Sequence, residues 1–183
     1  MNDTQLLKLA EAEGFSAALI APEQIPVNAK FRIFCEENLC GKYGANYSCP
    51  PDCGTVEALH QNILAADKVL IVQTIWNIDG YEDKSTIQES KKMHNAMVLH
   101  LKSKMEQQEL TGFCSGYNGC QLCTPCKRTV NEPCIHPDLR ISCMSAYCID
   151  VAELAKRCNL PFAWTPDKLH LFGMVAFHEA GTK

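Results

Sequence analysis

Cysteine constrains this chain more than anything else in it. Twelve of its 183 residues are cysteine, with one set at Cys35, Cys40, Cys49 and Cys53 and a second at Cys120, Cys123, Cys126 and Cys134. Both sets fall in long stretches without regular pattern, about 31–54 and 112–148. Structureless loops longer than about 12 residues are uncommon unless they have a job. A bound metal would supply the order these loops lack. Disulfides are the first rival, and they need an oxidising compartment. Met1 to Gly14 has no basic start, long apolar centre or cleavage site, so a cytoplasmic, reducing setting is the expectation. Inert core thiols are the second rival, and they explain one or two cysteines rather than two clusters.

The rest of the chain reads as a globule. An apolar fraction of 46% and a charged fraction of 21% are ordinary for one. The length suits one domain, 1–183. No apolar run approaches the roughly 20 residues of a membrane span. A net charge of −4 gives no attraction to nucleic acid or an anionic membrane.

Asn2 to Glu13 predicts a short amphipathic helix with Leu6, Leu7 and Ala10 inward, stopped by Gly14. Phe15 to Ala21 predicts a buried strand. Thr55 caps a helix carrying Val56, Leu59, Ile63 and Leu64 on one stripe. Lys68 to Trp76 is the strongest strand, β-branched and suited to an interior place. Ser85 and Gln88 have the form of a capping box opening a helix to about Glu109. Its stripe is Ile87, His94, Met97, Val98, Leu101 and Met105. Gly112 to Gly119 reads as a short strand entering a loop. Asp150 and Glu153 start a helix with Val151, Leu154 and Ala155 inward, and Leu169 to Phe177 closes the chain as a strand. The expected fold is α/β, a small sheet of about four strands layered with helices and two cysteine-rich loops.

Cys120-x-x-Cys123-x-x-Cys126 is the sharpest signal. Three thiolates at two-residue gaps can take three corners of a [4Fe-4S] cubane, and a more distant Cys134 the fourth, which is the ligand logic of ferredoxin loops. Zinc is the alternative, although zinc ribbons more often pair two separate knuckles. Gly116 and Gly119 either let backbone N–H groups near sulfur or simply make turns. The set at Cys35, Cys40, Cys49 and Cys53 could hold a second cluster. With Cys53 uncommitted, it could instead leave one iron open to a substrate. Cys49 precedes Pro50, as in the endings of cluster loops.

Cys158 reads as a packed thiol and Cys114 as a core or supporting one. Cys143 and Cys148 are additional candidates, as ligands, redox thiols or packing groups. His94 and His100 read as structural, and His136, inside the second loop, as a minor ligand candidate. Trp76 and Tyr43 flank the loops and could shield a cluster, with packing the plainer reading. Phosphate-loop, dinucleotide and nucleophile-elbow motifs are absent from the sequence. So is the C-x3-C-x-x-C spacing of radical chemistry.

Phe34 to Gly54 (FCEENLCGKYGANYSCPPDCG), Gly119 to Leu139 (GCQLCTPCKRTVNEPCIHPDL) and Met144 to Ala155 together resemble a bacterial and archaeal family of predicted metal-binding proteins, domain of unknown function 2284. The resemblance implies Cys35, Cys40, Cys49, Cys120, Cys123, Cys126 and Cys134 as metal-site residues. It leaves Cys53, Cys143 and Cys148 outside that set, and it implies no particular reaction. The functional expectation is an iron–sulfur protein with one or two [4Fe-4S] clusters, passing electrons to a protein redox partner or serving a partner enzyme. An enzyme using an open-coordination cluster as Lewis acid and a zinc-stabilised interaction module are the alternatives.

Overall fold

A computed structural model describes residues 1–179; residues 180–183, the tail of the expected domain span, lie outside it. The sheet has five strands in the order β1-β2-β5-β3-β4, where β1 is Ser16–Ile20, β2 Lys68–Asn77, β3 Thr111–Gly116, β4 Ser142–Cys143 and β5 Lys168–His178. All neighbours pair antiparallel except β3 and β4, which run parallel. The fold is therefore α/β as expected, with one strand more than expected. The extra strand, β4, is two residues long and carries no period that a sequence pattern could reveal.

β2 and β5 lie inside the sheet and are apolar on both faces, which is why each reads as a nearly unbroken apolar run. Val69 and Ile71 of β2 and Phe172, Met174 and Ala176 of β5 point to one face. Leu70, Val72, Val175 and Phe177 point to the other. The register pairs Leu70 with Val175 and Ile71 with Met174, so each face receives matched rows.

Helices cover both faces. Helix α1 (Asp3–Ala12) and α4 (Lys84–Glu106) pack on the Leu70 face through Leu6, Ala10, Val98, Leu101 and Met105. Helix α3 (Val56–Leu64) and α5 (Val151–Arg157) pack on the Ile71 face through Leu59, Ile63, Leu154 and Ala155. The fully buried leucines, isoleucine, valine and methionine of these stripes each contribute roughly 1.5–3 kcal/mol. Leu7, Val56, Leu64, Ile87, Met97 and Val151, expected inward, are only partly covered, at the margins of their stripes. A short helix α2 (Arg32–Glu36) breaks the stretch that reads as irregular.

The caps follow the expectation at Thr55, whose hydroxyl accepts the Ala58 N–H, and at Asp150, whose carboxylate accepts that of Glu153. The long helix differs. Asp83 is its N-cap, taking the Thr86 N–H at 3.1 Å, and Ser85 lies inside the first turn. Asp83 stands where the chain is still extended enough to aim a carboxylate at the free N–H groups. The helix ends at Glu106, before the expected Glu109. None of the helices among the described residues is long and apolar enough to cross a membrane.

His94 is wholly buried beneath the sheet, with Nδ1 2.8 Å from the Thr74 hydroxyl, which also accepts the Trp76 indole N–H at 2.7 Å. Burial pushes its pKa down to about 4, partly opposed by the Phe172 carbonyl, so it is a neutral core group. Trp76 packs beside Ile78, Leu169 and Leu171 as an ordinary apolar side chain.

Candidate metal centres

Two loops converge at the β3–β4 edge of the sheet. The first is anchored by backbone bonds to the chain around residue 149: Asn28 N–H donates to the Cys148 carbonyl at 2.8 Å, and Asp150 N–H donates to the Pro26 carbonyl at 2.8 Å. Arg32 extends the anchor by donating to the Ala146 carbonyl at 3.1 Å. Cys35, one turn further along α2, thus lies with its Sγ 3.7 Å from the Ser145 carbonyl. Parallel pairing of β3 and β4 sets Cys143 opposite Gly116.

The result is a cavity of about 370 Å³ whose lining includes Cys35, Cys40, Cys49 and Cys143. Cys53 is not in that lining. It packs against the Ile71-face core, and its Sγ is 3.9 Å from its neighbour's carbonyl at Gly54. Spacing along the chain singled out Cys53, whereas tertiary structure brings Cys143 from more than ninety residues away. Cys148 is fully buried and does not line the cavity. Burial pushes the Cys35 thiol up to about 11 and that of Cys49 up to about 12, and a neighbouring Cys143 thiolate adds to both. Bare, these thiols hold their protons; a coordinated metal removes them outright.

Cys120, Cys123, Cys126 and Cys134 come together around a separate, tight cavity of about 10 Å³. His136 and Arg140 also line it. Burial, and after it the thiols of Cys120, Cys126 and Cys134, raise the Cys123 pKa. The loop is tied to the first one by an Arg128–Asp52 ion pair at 2.8 Å and by the Tyr47 hydroxyl, which donates to the Glu132 carbonyl at 2.7 Å.

The two sites are nearly adjacent. Gly119, with φ of +69°, precedes Cys120, and a Cβ there would stand 2.8 Å from Cys49 Sγ. Only glycine allows this backbone both its left-handed turn and its approach to sulfur. The peptide beside one thiol set therefore touches a thiol of the other. Gly116 has a different reason. A Cβ there would meet Asn95 Oδ1 at 2.2 Å, and Asn95 is the α4 residue that holds the loop by accepting the Tyr117 N–H and donating to its carbonyl.

Buried Asn46 and Ser48 bridge the two loops. The Asn46 amide donates to the Cys120 carbonyl at 2.9 Å, and Ser48 Oγ accepts the Cys120 N–H at 2.8 Å. Ser142 Oγ donates to the Ser48 carbonyl at 2.6 Å, which ties in β4. Sequence reading passed over Asn46, Ser48 and Asn95. Their signal was slight: small polar residues beside Cys49 and on an otherwise apolar helix face.

Two further thiols lie in the cores. Cys114 is buried under α4 and pushed up to about 12, and Cys158 packs on the other core and is pushed up to about 11.

In donor chemistry each site suits a thiophilic metal, with four sulfurs and no competing carboxylate in its lining. In space they differ. The larger cavity has room for an inorganic core. The smaller has room for about one water-sized sphere, so a core there requires the 120–134 loop to open. As the side chains stand, no group of three or more His, Cys, Asp or Glu among the described residues is arranged to hold a lone metal ion.

A family model for predicted metal-binding proteins, domain of unknown function 2284, matches residues 18–177. The chain belongs to this family. Every cysteine of the chain lies inside the matched span. Neither a curated protein nor a solved structure matches the chain.

Proposed function

We propose that this is an iron–sulfur protein with two neighbouring [4Fe-4S] centres that works in electron transfer with a protein partner. One centre uses Cys120, Cys123, Cys126 and Cys134, and the other Cys35, Cys40, Cys49 and Cys143. The observation that carries this reading is the meeting of two four-thiol groups across the single residue Gly119. Close spacing of two centres is what internal electron exchange needs, and a structural zinc module has no use for it. The clusters would supply the electron-carrying chemistry. The chain's own part is to hold the thiols, keep water from Cys49, and place cations near the sulfurs. Arg32 lies near Cys35 and Lys127 near Cys123, and both favour the charged form of the thiol.

The test is anaerobic purification followed by iron and acid-labile sulfide analysis and electron spin resonance of the reduced protein. Iron and sulfide sufficient for two clusters, with spectra broadened by coupling between them, is the expected result. A colourless zinc protein from the same preparation overturns the reading.

The 370 Å³ cavity that the second centre would share favours one further reading, small-molecule chemistry at that centre. Turnover of a bound small molecule by the reduced protein, lost together with the second centre, would test it.

A further inference from the structure

The thiol-lined cavity is the inner of two joined chambers. The outer one, about 650 Å³, shares Cys40, Lys42, Tyr81, Tyr117 and Trp164 with it and reaches Cys123 of the other site. Their linings differ in chemistry. An aromatic wall stands in the inner chamber, where Phe162 contacts Trp164, His170 and Phe172 edge-on at 5.8–6.3 Å, and Trp164 contacts Tyr81 at 6.2 Å. The outer chamber carries Lys42, Lys84, Lys91 and Lys92, and no aspartate or glutamate lines either chamber.

Four lysines on one concave wall are unusual in a chain of net charge −4. None of the four takes part in an ion pair among the described residues. Lys91 is the most telling. Burial lowers its pKa, and its ammonium lies 5.0 Å from the centre of the Tyr117 ring rather than beside a carboxylate. The neighbouring Cys40 thiol opposes this burial only in part, and a partly desolvated cation with no carboxylate partner costs free energy that an incoming anion would recover.

We propose that the two chambers form one binding site for a small organic anion. Its flat apolar body lies against Tyr81, Phe162 and Trp164, and its carboxylate or phosphate on Lys42 and Lys91. This deepens the small-molecule reading of the second centre and rests on it for purpose, though the binding itself is measured separately.

The probe is 2-naphthoate, titrated calorimetrically into anaerobically purified protein whose iron and sulfide content is measured on the same sample. Neutral 2-naphthalenemethanol, acetate and inorganic phosphate are run beside it. Naphthoate is expected to bind at least tenfold more tightly than the alcohol or acetate and to weaken as salt is raised. Lys91→Gln and Trp164→Ala each weaken it fivefold or more, and Lys156→Gln, on the exposed face of α5, leaves it unchanged. Equal binding of naphthoate and the alcohol, or an unchanged Lys91→Gln variant, overturns the site. So does binding only after the metal is stripped, because the bound core would then fill the chamber. A colourless, iron-free sample that still binds naphthoate with these dependences refutes the cluster assignment and leaves the anion site standing.

Discussion

Replacing Gly119 with alanine tests the closeness of the two thiol sites directly. Gly119 has φ of +69°, where an L-residue pays about 1–2 kcal/mol. Its new methyl would also stand 2.8 Å from Cys49 Sγ and 3.2 Å from Ser48 Oγ, against 3.4 Å for ordinary contact. Cys49 is only 5% exposed, so its sulfur has little free space, and it or the loop must move by the missing 0.6 Å. Gly44→Ala is the matched control. Its φ is +65°, but nothing lies within 4 Å of the added methyl. Gly44→Ala should therefore lose about 1–2 kcal/mol in denaturant titration, and Gly119→Ala more. Only Gly119→Ala should also disturb the second centre, read as lost iron and sulfide per chain and an altered spin-resonance signal after anaerobic purification. Identical metal content and spectra in the two variants would refute the claim that the backbone beside Cys120 packs on the sulfur of Cys49.

Three further outcomes are expected. Cys143→Ser should remove about half of the iron, whereas Cys53→Ser should leave the content intact; the reverse pattern would return the fourth ligand role to Cys53. His94 has a pKa lowered from 6.5 to about 4, so its unfolded form binds the extra proton first. Stability is then fully present above pH 6.5 and falls as pH drops toward 4, by about 3 kcal/mol in all; urea melts across that window should show a slope that His94→Gln lacks. Asp83→Ala should cost about 1 kcal/mol in thermal or urea melts, while Ser85→Ala costs a few tenths, since the carboxylate and not the hydroxyl caps α4.

Local physics was legible in the sequence. The unbroken apolar run of β2 announced an interior strand and that of β5 a strand, and the spacing of Leu59 and Ile63 or Val98, Leu101 and Met105 announced helices with one buried stripe. Caps made by side chains a few residues away were readable at Thr55 and Asp150. They were misread at Ser85 because two candidate caps stood two residues apart and only backbone direction chooses between them. The C-x-x-C-x-x-C run was readable for the same reason, since its donors are neighbours in the chain and meet whatever the rest of the fold does.

By itself, the sequence determined the α/β class, a chain rich in thiols without partners in secondary structure, and the first four-sulfur group. Only tertiary structure decided what joins that group. Strand pairing at β3–β4 carries Cys143 to Cys35, Cys40 and Cys49, the Gly119 turn sets the two groups against each other, and the chain ahead of β5 brings Phe162 and Trp164 into the same pair of cavities as Lys84, Lys91 and Lys92 of α4. Contacts within one turn of chain are governed by spacing. Contacts across a sheet edge depend on register and on which loops close over it, and no periodicity records either.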